Sequence, residues 1–268
     1  MAKIEAVILD WAGTTVDFGC FAPVNVFVNI FKTAGIDVSI EEARKPMGML
    51  KIDHIRTMLE MSRIQEEWQN RYNRPSNEED VNTLYAQFEE ELMATLATYT
   101  DPIPTVIETI AHLKEKGIKI GSTTGYTASM MEVVTKHAKL KGYTPDYLVT
   151  PDDTNNYGRP YPYMIFHNLE ALNVSSVTAA IKVGDTVSDM KEAVNAGIPA
   201  VGVIIGSSEM GLTQEEFLSL SNEQKNEIIK KVRATFLENG ASYTIDTMAD
   251  LLPLIDQIEE KQMQANIQ

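Results

Sequence analysis

The chain contains one cysteine, Cys20, in 268 residues. No intrachain disulfide can form, and a lone thiol fits a reducing compartment. No run of eighteen or more apolar residues occurs, so no segment reads as a membrane span. The first residues, Met1-Ala2-Lys3-Ile4-Glu5, lead into a strand pattern and lack the apolar stretch of a secretion signal. A cytoplasmic setting is expected. Basic residues are scarce, 23 against 38 acidic ones, for a formal net charge of -15. That disfavours nucleic acid and anionic membrane as partners. It leaves room for an anionic small molecule, because a few local cations decide the potential of one pocket. Repeats and low-complexity tracts are also missing, and residues 259–268 read as a fraying polar tail.

What is present is an ordinary globular balance, 44% hydrophobic and 23% charged, long enough to bury a substantial core. Short β-branched apolar runs at 6–9, 118–122, 179–183 and 200–205 read as buried parallel strands, with weaker candidates at 147–149 and 243–245. Helical patterns lie between them at 104–116, 128–139, 163–172 and 187–196. The alternation predicts an α/β fold with a doubly wound parallel sheet. Between Asp10 and Ile118, roughly a hundred residues are almost purely helical in pattern, far more than a crossover needs. The helical segments are 21–34, 40–43, 49–63 and 77–97. Residues 20–99 are expected to form an inserted α-helical cap, and residues 1–19 with 100–268 the α/β core. Hinges fall near Gly19-Cys20 and 98–103. Residues 213–231 read as solvated helix.

The first strand runs into Asp10 and then a Gly/Thr-rich turn, Ala12-Gly13-Thr14-Thr15. Asp10 therefore belongs at the carboxyl edge of the sheet, where open α/β folds bind ligands. A carboxylate there can act as a nucleophile that forms an acyl-phosphate. A strand-end Asp also serves as a turn former or helix cap. Two places on, where an acid would protonate a leaving group, stands Ala12. A second strand end reads Val183-Gly184-Asp185-Thr186-Val187-Ser188-Asp189. Carboxylates converging on one rim repel unless a cation offsets them, and Mg²⁺ suits hard oxygen ligands. Asp185 and Asp189 also fit a helix cap, and Asp189 fits a supporting role. Gly121-Ser122-Thr123-Thr124-Gly125-Tyr126-Thr127 follows a strand and precedes a helix. Its N–H groups and a hydroxyl can hold a phosphate or phosphonate. In Gly158-Arg159-Pro160 an arginine is fixed in a rigid loop, where it can neutralise phosphoryl oxygens or lie on the surface.

The insertion adds Met47, Lys51 and His54 at spacings of four and three, expected on one face of a helix that opens near Lys45. A lysine beside methionines can be desolvated enough to stay a neutral amine, which forms a Schiff base with a carbonyl. His54 can shuttle protons for that step. The plainer alternatives are a solvated helix-start lysine and a structural histidine.

Strand-Asp, strand-Thr, Arg before a helix, then strand-Gly-Asp-x-x-x-Asp: that order resembles the haloacid dehalogenase-like superfamily of aspartyl-phosphate hydrolases. The resemblance implies Asp10 as nucleophile and Thr124 or Thr123 as phosphoryl holder. It implies Arg159 as the cation, and Mg²⁺ held by Asp10, the Ala12 carbonyl and Asp185, with Asp189 alongside. The runs 10–17, 19–20, 44–48, 121–126, 158–160 and 206–211 narrow the likeness, over nearly the full length. They are similar to the branch of the family that cleaves the C–P bond of a small phosphonate aldehyde. That likeness implies Lys51 as the Schiff-base lysine, with Met47, Cys20, Tyr126 and Gly125 about the aldehyde, and a homodimer. It also accounts for Ala12. The leaving atom is carbon, and an imine that draws off its electrons replaces the missing acid. Two rival readings are a phosphoester phosphatase or sugar-phosphate mutase on the same fold, and a non-catalytic phosphoacceptor or binding protein.

Overall fold

The computed structural model describes residues 3–265. Six parallel strands form one sheet: β1 (Ala6–Leu9), β2 (Lys119–Thr123), β3 (Tyr147–Val149), β4 (Ala180–Gly184), β5 (Ala200–Val203) and β6 (Tyr243–Ile245). Their order is β3-β2-β1-β4-β5-β6. β1 is central, and its neighbours set the site. Leu9 stands opposite Ser122 of β2 on one side and Val183 of β4 on the other. Strands β2 and β3 lie on one side of β1, and β4, β5 and β6 on the other, so a crevice opens above β1 and β4. Alternate residues serve opposite faces: Val7 and Leu9 pack into one apolar cluster, Ala6 and Ile8 into the other.

Residues 21–99 hold five α-helices and no strand: α1 (Phe21–Thr33), α2 (Ile40–Arg44), α3 (Lys51–Leu59), α4 (Ser62–Tyr72) and α5 (Glu78–Thr95). Phe27 of α1 stacks on Phe88 of α5 at 4.3 Å between ring centroids. The flanking linkers run side by side. Val16 bridges to Pro102, and the Ile103 N–H donates to the Thr15 carbonyl at 2.9 Å. The remaining helices are α6 (Val106–Glu115), α7 (Ala128–Leu140), α8 (Tyr163–Ala171), α9 (Val187–Ala196), α10 (Gln214–Ser219), α11 (Asn222–Glu238) and α12 (Leu251–Ala265). Among the described residues no helix is long and apolar enough to cross a membrane.

Several sequence expectations need correction. The helix expected over 49–63 is two helices, because Met61 is extended and starts α4. Only Ile64 and Trp68 of α4 are buried, so its polar sequence hid it. Residues 213–231 are helical and largely solvated as expected, forming α10 and the first part of α11, both capped. Phe217 is buried there, and α11 is anchored beyond this range by Val232 and Phe236. The polar tail is helical to Ala265, held by buried Ile255 and Ile258, and residues 266–268 lie outside the described range. The face that α1 leaves open is polar, carrying Asn25, Asn29 and Lys32, while Phe27, Ile30 and Phe31 are buried within the chain.

Candidate active site

The Gly/Thr turn after β1 is locked from several sides. The Asp10 N–H donates to the Val183 carbonyl at 3.0 Å, and the Thr15 hydroxyl donates to the Asp10 carbonyl at 3.1 Å. Gly13 has φ +90°, and a Cβ there would lie 2.0 Å from Asp185 Oδ2. Only glycine fits that approach. The Thr14 hydroxyl donates to Asp185 Oδ1 at 3.1 Å, so the turn and the second carboxylate are built together. Trp11 packs edge-on against Tyr143.

Asp189 sits in the first turn of α9, where it closes a capping box with Thr186. Its Oδ2 accepts from the Thr186 hydroxyl at 2.6 Å. Its Oδ1 lies 3.0 Å from Lys182 Nζ and 3.2 Å from Arg159 Nη1, without a well-aligned hydrogen bond. Arg159 is the hub. Its Nη2 donates to Asp10 Oδ1 at 2.6 Å and to the Thr123 hydroxyl at 2.7 Å, and its Nε donates to Glu192 Oε2 at 3.0 Å. Lys182 donates to the same threonine hydroxyl at 2.6 Å and pairs with Glu192 at 3.1 Å.

Sequence reasoning missed Lys182 and Glu192. A signal existed: a lysine inside an otherwise apolar strand is affordable only if paired. Glu192 lies three residues past Asp189 on the same helical face. The choice between Thr123 and Thr124 also depends on this network. The Thr123 hydroxyl is held by Arg159, Lys182 and Glu192. Thr124 lines the cavity.

The charges in this cluster do not balance. Four buried carboxylates, Asp10, Asp185, Asp189 and Glu192, face two buried cations, Arg159 and Lys182. Asp10, Asp185 and Asp189 each bring an oxygen within 4.8 Å of the others. At that separation each like-charge pair repels by roughly 3 kcal/mol, for an effective dielectric near 20. Burial first, and then the neighbouring carboxylates, push Asp185 well above the usual carboxylate range. Burial also raises Asp10, against the pull of Arg159. For Asp189 the two cations outweigh burial and hold it low. A deficit of two charges and an under-bonded carboxylate oxygen fit one divalent cation.

Above this cluster is a cavity of about 20 Å³, little more than a single water probe occupies. Asp10, Ala12, Thr124 and Arg159 line its floor, and Cys20, Met47, Lys51, Gly125 and Tyr126 close it. The insertion reaches in through a tight turn. Gly48 has φ +86°, and a Cβ there would lie 2.4 Å from Thr186 Oγ1. The Met47 carbonyl accepts from Ser188 Oγ at 2.9 Å, and the Gly48 carbonyl from Arg159 Nη1 at 3.3 Å. Met47 therefore lies in the turn before α3 and not on a shared helical face with Lys51 and His54.

Lys51 opens α3 and is 3% exposed. Its ammonium nitrogen lies 5.1 Å from the centre of the Tyr126 ring. It makes no ion pair among the described residues. Burial lowers its pKa, favouring the neutral amine. His54 lies one turn on but does not line the cavity. Its ring stacks on Phe27 at 3.8 Å, its Nε2 lies 2.8 Å from the Ala43 carbonyl, and Nδ1 has no partner. Burial, and then Lys51, push His54 well below its ordinary value and keep it neutral. Burial raises the Cys20 thiol, so Cys20 meets the cavity as a small apolar group.

A parallel sheet of this order, with an aspartate at the end of β1 and carboxylates after β4, defines a class. A family model of haloacid dehalogenase-like hydrolases matches residues 4–197. The chain belongs to that family. Within it, the chain is 64% identical over 259 residues to the phosphonoacetaldehyde hydrolase of Lysinibacillus sphaericus, covering 97% of this chain and 96% of the relative. It is 55% identical over 261 residues to that of Bacillus cereus, covering 97% and 98%. A bifunctional phosphonoacetaldehyde hydrolase/aminoethylphosphonate transaminase of Clostridioides difficile is 54% identical over 98% of this chain, which spans 41% of that relative. The crystal structure of a phosphonoacetaldehyde hydrolase-like protein from Oleispira antarctica superposes with a TM-score of 0.92. It shares 39% identity, covering 96% of this chain and 93% of that one.

Proposed function

We propose that the protein hydrolyses the C–P bond of phosphonoacetaldehyde, releasing acetaldehyde and phosphate. The observation that carries this is an unpaired, buried amine, Lys51, closing the same cavity as the strand-end carboxylate Asp10, with Ala12 where a leaving-group acid would stand.

Lys51 as neutral amine adds to the aldehyde, and loss of water with uptake of one proton gives a protonated imine. Asp10 attacks phosphorus, the C–P bond breaks, and its electron pair flows into the imine to give an enamine. Protonation of the enamine at carbon and hydrolysis of the imine release acetaldehyde and restore Lys51. Water then frees phosphate from the aspartyl-phosphate. Arg159, braced by Glu192 and Asp189, screens Asp10 from the phosphonate. Thr124 and the N–H groups after β2 hold phosphonate oxygens. We assign Mg²⁺ to Asp10, Asp185 and the Ala12 carbonyl, with Asp189 oriented beside them. When bound, it supplies charge neutralisation at the phosphoryl group.

Burial favours the neutral Lys51 amine, and His54, one helical turn on, is assigned the shuttling of protons for imine formation. Met47, Cys20, Gly125 and Tyr126 pack about the aldehyde. A cavity this small requires residues 20–99 to lift as a cap for substrate to enter. A cytoplasmic homodimer completes the reading. Sedimentation tests the dimer.

The deciding assay supplies phosphonoacetaldehyde and a panel of sugar phosphates, with phosphate release as the readout. Turnover is expected for the phosphonate alone, is lost with a chelator and returns with Mg²⁺. Borohydride added with substrate is expected to mark Lys51 by mass. Turnover confined to phosphoesters, or an unmarked Lys51, refutes the proposal.

A further inference from the structure

Arg44 ends α2, a helix whose start is fixed by the Ser39/Glu42 capping box. Among the described residues of the insertion, it alone sends a side-chain hydrogen bond to the core beyond the linkers. Its Nη1 donates to the Gly19 carbonyl at 2.7 Å, and to the Ser208 carbonyl and hydroxyl, each at 3.2 Å. The guanidinium lies over the Phe21 ring at 4.8 Å. Gly19 belongs to the first linker, and its own N–H donates to the Gly206 carbonyl at 2.7 Å.

The far end of this contact is the metal end of the site. The Ser208 N–H donates to Asp185 Oδ2 at 2.7 Å. The loop 206–211 is shaped around the arginine: Gly211 has φ +68°, and a Cβ there would lie 3.2 Å from Arg44 Nε. Ser208 is therefore gripped from both sides, by a carboxylate of the core and a cation of the insertion.

As a stabilising contact this arginine is poorly used. Nε and Nη2 are buried without a partner, and its acceptors are neutral oxygens. A desolvated cation in that state costs more than it returns. Its value lies in what it joins. Seven residues on, across the Met47-Gly48 turn, is Lys51.

We propose that Arg44 is a positioning residue that couples the two halves of the site: seating the insertion, which delivers Lys51, also clamps Ser208 and so orients Asp185 for the cation. The proposal rests on the reading of Lys51 and Asp185 given above. With the insertion lifted, Arg44 leaves Ser208, the loop 206–211 loosens, and Asp185 Oδ2 loses its fixed backbone donor, leaving the carboxylate held by the Thr14 hydroxyl alone among the described residues. Amine and carboxylate then come into register in one movement.

The test uses the full chain with Arg44→Met and, as the conservative change, Arg44→Lys. Mg²⁺ binding is measured by calorimetry on the metal-free protein, and exchange of the Ser208 amide by hydrogen exchange. Arg44→Met is expected to weaken Mg²⁺ binding about tenfold. It also speeds Ser208 exchange about tenfold and lowers kcat/KM about a hundredfold, with the melting temperature nearly unchanged. Arg44→Lys recovers part of each, and carries the test alone if Arg44→Met fails to fold. Mg²⁺ binding and Ser208 exchange within twofold of wild type overturn the coupling, whatever happens to turnover. A wild-type protein inert toward phosphonoacetaldehyde counts instead against the proposed reaction, and leaves these two measurements to judge the coupling.

Discussion

Gly125→Ala is the most informative single perturbation of the closed site. Gly125 follows β2 and lies beneath the turn that carries the insertion into the cavity. An added methyl would sit 2.5 Å from the Met49 carbonyl oxygen and 2.9 Å from that of Gly48, where ordinary contact begins at 3.4 Å. Both obstacles are backbone, so no rotamer change relieves the clash. The 48–49 peptide must retreat by about 1 Å, and Lys51 is two residues away. A reacting group displaced by that much costs about a hundredfold in rate, or about 2.7 kcal/mol. The same retreat stretches the hydrogen bonds of the Met47 and Gly48 carbonyls to Ser188 and Arg159. The sheet beneath is untouched, so the fold should melt within a few degrees of wild type. Phosphate release gives kcat/KM, and timed borohydride quenches give the rate of imine formation. Both are expected to fall together. A variant with kcat/KM within threefold of wild type refutes the reasoning, and so does full imine formation with phosphate release alone impaired.

Two further predictions separate stability from chemistry. Lys51→Met keeps the shape of the side chain and removes a buried amine with no ion partner. It is expected to abolish cleavage and gain about 1 kcal/mol or more of stability at neutral pH. A less stable variant in urea denaturation contradicts this. Asp17 accepts the Phe21 and Ala22 N–H groups at the start of α1, and burial raises its pKa from 3.8 to about 7. Between those values the folded protein holds a proton that the unfolded chain releases. Stability therefore declines as pH rises from about 4 to about 7, by up to about 4 kcal/mol from this group. Asp17→Asn should flatten that slope, and urea midpoints at pH 5 and pH 7.5 check it. An unchanged slope disproves the assignment.

How far the sequence went depended on the range of the interaction being read. Buried strands announce themselves by local composition. The run 6–9 coincides with β1, and 147–149 and 243–245 coincide with β3 and β6. Strand ends bearing Asp10, Thr123-Thr124 and Asp185 had to meet once the sheet was doubly wound, because β1 lies between β2 and β4. Ala12 was legible as an absence, and it counted against ester chemistry before any geometry was known. A helix-period argument served less well beside a turn. Met47, Lys51 and His54 share a spacing, yet the helix begins only at Lys51 and His54 turns away toward Phe27.

The chain's own order of residues thus determined the sheet, the helical insertion and the set of groups available for chemistry, since these follow from periodicity and from which residues end a strand. Tertiary structure alone decided how those groups divide the work. Thr123 enters a buried ionic network while its neighbour Thr124 meets the cavity. Glu192 pairs with both Arg159 and Lys182, and Arg44 reaches across to Ser208. Each of these depends on partners tens of residues apart, and on the loss of water between them. No local pattern encodes a charge's partner. It is fixed only when packing closes the space around it.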